Sequence, residues 1–129
     1  MRLRNALPVV GLIIAIALFA FPTTAGAATL QVGPGQTYST ISAAVNAASD
    51  GDSIIVHDGT YNENVDVTKQ LTIQSQNGYL NTTVVASDAD DHVFEVTASN
   101  VTISDFSIYG AVGDCAGGYL GGGVSHCTI

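Results

Sequence analysis

Two hydrophobic rhythms divide this chain of 129 residues. Val9–Phe21 is a run of 13 positions without a polar side chain, whereas from Ala28 onward apolar residues come in short bursts. Ala28–Val32 reads as a β segment, broken by Gly33-Pro34-Gly35. Ile41, Ala44, Val45 and Ala48 then fall on one face at helical spacing, which predicts a helix over Tyr38–Ser49 with Thr37 or Ser39 as its cap. Asp50-Gly51-Asp52 ends it. Beyond Ser53 many of the bursts alternate apolar with polar or β-branched residues, as half-buried strands do. Strands are predicted at Ile54–Val56, Val65–Val67, Leu71–Ile73, Thr83–Val85, Val93–Val96, Val101–Ile103 and Phe106–Ile108. Asn, Asp, Gly and Ser between them supply turns.

A helix followed only by strands argues against a doubly wound α/β sheet, which needs a helix between successive strands. Two all-β arrangements remain. Asn77-Gly78, set between two β runs, is a hairpin signal and favours antiparallel pairing. A solenoid would instead repeat short strands at a longer period. The Thr-Ile pairs 72–73, 102–103 and 128–129 recur after 30 and 26 residues, a little long for single coils.

The stretch Thr37–Gln76 decides between them. It runs from a small-residue helix through Gly51-Asp52 into a strand, a Gly59-x-Tyr61-x-Glu63-x-Val65 turn, and then Val67, Leu71 and Ile73. That order resembles the opening of the right-handed parallel β-helix in pectin lyase-like proteins. The phrase Val96–Gly110, VTASNVTISDFSIYG, is similar to the coils of NosD-like and surface-layer β-helix repeat proteins. The resemblance covers most of Thr29–Ile108. It implies an all-β solenoid with an N-terminal capping helix: residues 28–52 form a β segment and cap, and residues 53–129 form the first, incomplete coils. The helix would cover apolar stacks and strand edges that otherwise invite aggregation. The far end would be covered by downstream coils or a partner chain, so the sequence is expected to be the N-terminal piece of a longer protein.

Residues 1–27 read as a secretory signal peptide. Arg2 and Arg4 precede the apolar run, and Ala25-Gly26-Ala27 supplies the small residues of a cleavage site. Thirteen apolar residues fall short of the ~20 that span a bilayer as a helix. Cleavage leaves 102 residues, in which Lys69 alone faces eleven acidic side chains, a formal net charge of −10. Such a chain repels nucleic acid and anionic lipid. The expected location is extracellular or at the cell surface, and the membrane is touched only through the signal before cleavage.

Chemistry-bearing residues are sparse. Asp88, Asp90 and Asp91 are the best acidic cluster, and a Ca²⁺ ion is the cofactor that would suit them. Their D-A-D-D run lacks the ligand spacing and closing glutamate of an EF-hand, however, and reads as a solvated turn. His57, His92 and His126 have no metal-binding spacing, and His126 and Cys127 would point to opposite faces of a strand. The carboxylates of Asp105 and Asp114 have nothing to bring them together for acid–base work. Esterases of the resembling fold use an Arg, and its lyases use a basic residue. The exported part has no Arg, and its one Lys lies in the turn Thr68-Lys69-Gln70. No catalytic residue is therefore assigned. Cys115 and Cys127 are an even pair in an exported chain, joined by a glycine-rich loop, and are candidates for a disulfide. Asn81-Thr82-Thr83 and Asn100-Val101-Thr102 are glycosylation sequons. Tyr38, Tyr61, Tyr79, Tyr109 and Tyr119 offer rings for packing or for stacking on sugars.

The expectation that follows is an exported, acidic β-helix module with a structural or carbohydrate-facing role, contacting polysaccharide or other envelope components and not catalysing a reaction in this segment. The alternative is the N-terminal portion of a polysaccharide-active esterase, lyase or epimerase with its active site beyond residue 129.

Overall fold

The computed structural model describes residues 26–111 and the backbone of Gly118–Leu120. Within them a short strand β1 (Thr29–Val32) leads to the helix α1 (Ile41–Ala47). Nine strands follow: β2 (Ser53–Val56), β3 (Gly59–Asn62), β4 (Val65–Val67), β5 (Thr72–Ser75), β6 (Thr82–Val85), β7 (Phe94–Val96), β8 (Thr102–Ser104), β9 (Ser107–Tyr109) and β10 (Gly118–Leu120). The protein is predominantly β.

All strand pairing between these elements is parallel, in three sheets ordered β1-β2-β5-β8, β3-β6-β9 and β4-β7-β10. From β2 onward, each run of three consecutive strands adds one strand to each sheet in turn. Asn77-Gly78 consequently does not make a hairpin. It joins β5 to β6, which belong to different sheets, and Gly78 takes φ 90 there. The Thr-Ile pairs 72–73 and 102–103 are direct register partners on β5 and β8. Ser53 pairs with Thr72, a spacing of 19 residues, and Thr72 with Thr102, a spacing of 30. Loops of unequal length absorb the difference, which blurs the period in the sequence.

Period-two alternation sorts the side chains. Ile54, Ile73 and Ile103 stack in register beneath the first sheet, and Leu30 packs against them half-buried. Tyr61, Val84 and Ile108 form the inner row of the second sheet. Val65 stacks on Phe94, and Val67 on Val96, in the third. Phe94 also meets Phe106 with ring centroids 6.0 Å apart. In the row Val32, Val56, Ser75 a hydroxyl replaces an apolar group. Its polarity is satisfied inside the core by a 2.7 Å bond between Ser75 Oγ and Thr82 Oγ1.

The helix is shorter than its predicted span. Thr40, rather than Thr37 or Ser39, is the cap, and its hydroxyl accepts from Ala43 N at 3.1 Å. Ile41, Ala44 and Val45 are buried, and α1 packs against β1, β2 and β4. Two strands lie where the sequence reads as turn or loop. Gly59–Asn62 pairs with β6, and Gly118–Leu120 pairs with β7. An in-register neighbour supplies the backbone bonds that weak local propensity does not.

Candidate functional site

The motif Gly59-x-Tyr61-x-Glu63-x-Val65 proves to be structural. The Glu63 carboxylate reaches 21 and 22 residues back, accepting from Ile41 N at 2.8 Å and Ser42 N at 3.0 Å, where the first turn of α1 leaves amides unpaired. At the other end of α1, Lys69 Nζ donates to the carbonyls of Val45, Asn46 and Ala48 at 3.0, 2.9 and 2.7 Å. An anion at the helix start and a cation at its end both complement the helix dipole. Asp52 completes the attachment, accepting from Ser49 N and Ala28 N, each at 2.8 Å. Those two backbone bonds, aided by Lys69 and opposed by burial, hold the Asp52 carboxyl below its ordinary value. The one lysine of the chain is thus spent on a helix end. The sequence singled out Glu63 and Lys69, but not their common partner.

Tyr61 belongs to the same corner. Its hydroxyl donates to His57 O at 2.7 Å, and burial, with Glu63 and Asp58 nearby, pushes its phenol up. His57 Nε2 lies 2.7 Å from Gln31 Oε1, so this imidazole joins β2 to β1. Gly33, at φ 145, lies beneath both; a Cβ there would come 2.8 Å from His57 Cβ.

The acidic cluster folds on itself. Asp88 Oδ1 accepts from Asp90 N at 3.0 Å, and Asp91 Oδ1 from His92 N at 2.8 Å. The loop is anchored by Asn64, whose Nδ2 donates to Asp88 O and His92 O. Its Oδ1 accepts from Ser87 Oγ and Asp88 N. Sequence reading passed over Asn64, an ordinary polar residue before a strand. Among the described residues no three His, Cys, Asp or Glu side chains gather as a metal site would require.

The sequons occupy different backbones. Asn81 is exposed just before β6, with its Nδ2 donating to Asn77 O at 3.0 Å. Asn100 is exposed in the left-handed region at φ 58, and Asp105 adopts φ 67 after β8. These are conformations that Asn and Asp tolerate in turns. Cys115, Cys127, Asp114, His126 and residues 1–25, where a signal peptide is expected, lie outside the described residues; of Tyr119, only the backbone is described. Among the described residues no helix is long and apolar enough to cross a membrane.

Topology also sorts charge. Strands of the first and second sheets contain no charged residue, whereas β4 and β7 place Asp66 beside Glu95 in register on the third. The outward rows of the second sheet are Thr60, Thr83, Ser107 and Asn62, Val85, Tyr109. Tyr109 is 62% exposed. At the rim, Ser107 Oγ donates to Tyr79 O at 2.7 Å and fixes a loop whose Tyr79 and Leu80 are 57% and 82% exposed. The first sheet presents Thr29, Ser53, Thr72 and Thr102 in one register row. The candidate site is the second sheet's uncharged face of hydroxyls, an amide and the exposed Tyr109 ring, with Tyr79 in the loop at its rim.

No family model matches the chain, and neither curated proteins nor solved structures yield a match.

Proposed function

We propose that this chain is an exported, right-handed parallel β-helix module with a structural, carbohydrate-facing role at the cell surface. In this reading the coils are β2-β3-β4, β5-β6-β7 and β8-β9-β10, with α1 as the N-terminal cap. Support for the fold comes from the strand order, in which every sheet gains its strands in the same sequence. Support for export comes from the charge and spacing of residues 1–27.

The observation that carries the binding role is the exposed ring of Tyr109 on the charge-free outer face of β3, β6 and β9. Tyrosine rings give sugar C–H faces a surface to stack on, and Thr60, Asn62, Thr83 and Ser107 exchange hydrogen bonds with hydroxyls. The full chain, produced through a secretory pathway, is tested by co-sedimentation with an insoluble neutral polysaccharide and with cross-linked polygalacturonate. Retention by the neutral polymer, lowered at least severalfold by Tyr109→Ala, is expected. Equal retention of wild type and variant, or none by either polymer, overturns the carbohydrate role. Intact mass of the exported product tests the address separately, with Ala28 expected as its first residue.

A further inference from the structure

The geometry points to Asn77–Gly78 as a self-modification site that the folded turn holds shut and that opens only when the β5–β6 corner opens. An asparagine followed by glycine is chemically labile, because a neighbour without a side chain lets the next backbone nitrogen reach the side-chain amide. Asparagine is accordingly among the thermolabile residues. In the reaction Gly78 N loses its proton to solvent base and attacks Asn77 Cγ. A C–N bond forms, the Cγ–Nδ2 bond breaks, and ammonia leaves with a proton from water. The resulting five-membered imide is then opened by one water molecule at either carbonyl, giving aspartate or isoaspartate at position 77. No redox partner is needed, and water is the only co-reactant.

Every group this reaction must move is held. Gly78 N, the nucleophile, donates to Ser75 Oγ at 3.0 Å. Ser75 is itself buried and tied to Thr82 Oγ1 at 2.7 Å, so the acceptor is part of the core rather than of the loop. Asn77 Nδ2, on the leaving side, donates to Asp58 Oδ1 at 2.8 Å. Asn77 O accepts from Asn81 Nδ2 at 3.0 Å, and Gly78 O accepts from Asn81 N at 3.0 Å. The peptide between residues 77 and 78 is thus fixed on both sides, and cyclisation requires it to turn. Breaking those bonds together is a local unfolding event, whose population sets the rate.

The product does not refit the same turn. A carboxylate at 77 has no hydrogen to offer Asp58 and adds a like charge beside it, and isoaspartate also lengthens the backbone by one carbon. Opening therefore becomes a lasting mark at the corner that carries Tyr79 and Leu80. Asn100, which is not followed by glycine and lies outside this corner, serves as an internal reference.

The full chain is incubated at mildly alkaline pH and body temperature, folded and in strong urea, and residue 77 is followed by peptide mapping with isoaspartate detection. Folded wild type is expected to convert at least about tenfold more slowly than the urea-unfolded chain, in line with an opening equilibrium. Ser75→Ala and Asp58→Ala are each expected to accelerate conversion severalfold while leaving Asn100 unchanged. Asp58 is exposed, so its variant decides the matter if Ser75→Ala melts at the incubation temperature. Folded wild type converting as fast as the unfolded chain overturns the inference. So does a folded Asp58→Ala variant that converts no faster than wild type.

Discussion

Carboxylates grip backbone amides at both the helix-bearing end and the loop of residues 86–92, but across very different reaches of chain. Glu63 and Asp52 accept from amides 21 to 24 residues away, apart from the bond of Asp52 to Ser49. Asp88 and Asp91 accept from amides two residues and one residue away. The chemistry is the same and the consequence is not. A long-range acceptor joins α1 and β1 to the strands and offsets loop-closure entropy, while a short-range one merely shapes a turn that water would also satisfy. The neutral amide of Asn64 fastens the acidic loop to the rest, acting over 23 to 28 residues.

Glu63→Ala carries the largest expected effect. It strips two charge-assisted bonds from the helix start, and a loss of about 2–3 kcal/mol is expected in urea unfolding of the full chain. Lys69→Met keeps the apolar stem and removes only the ammonium, so a smaller loss of about 1–2 kcal/mol is expected by the same measurement. Asp88→Ala and Asp91→Ala should each fall within about 0.5 kcal/mol of wild type. If either costs as much as Glu63→Ala, the distinction between long and short reach fails.

Acid sharpens the contrast further. The folded-state pKa of Asp52 lies below its ordinary value of 3.8, so its stabilisation is fully present above about pH 4 and fades as pH falls through the lower folded value. Melting temperatures measured from pH 6 to pH 2 should therefore fall less steeply in Asp52→Asn than in wild type. The smallest effect concerns the third sheet, where Asp66 and Glu95 lie side by side in register. Asp66→Lys replaces that repulsion by attraction and should stabilise by a few tenths of a kcal/mol, a gain that salt diminishes.

Much of the fold was legible in the residues. The helix face Ile41, Ala44, Val45 is buried as its spacing implied, and the alternating runs around Ile54, Ile73, Val84 and Ile103 became strands with those side chains inward. β3 was hidden because Gly59 and Asn62 are poor strand formers, and β10 because it lies in a glycine-rich stretch. The Thr-Ile repeat was visible, but its 30-residue separation concealed that the two pairs are neighbours. The candidate face was illegible. Thr60, Thr83 and Ser107 have no sequence relation beyond the register that lines them up, and Tyr79 joins them through one hydroxyl.

Residue type and local period alone fixed which side of the predicted strands is apolar, that a helix forms between residues 38 and 49, and that the chain is acidic. Tertiary structure decided which strands share a sheet and therefore that the two charged strand residues, Asp66 and Glu95, fall on the same one. It also decided that Glu63 and Lys69 serve the two ends of one helix. Those outcomes depend on pairing across 19 to 30 residues, set by loops whose lengths carry no periodic signal.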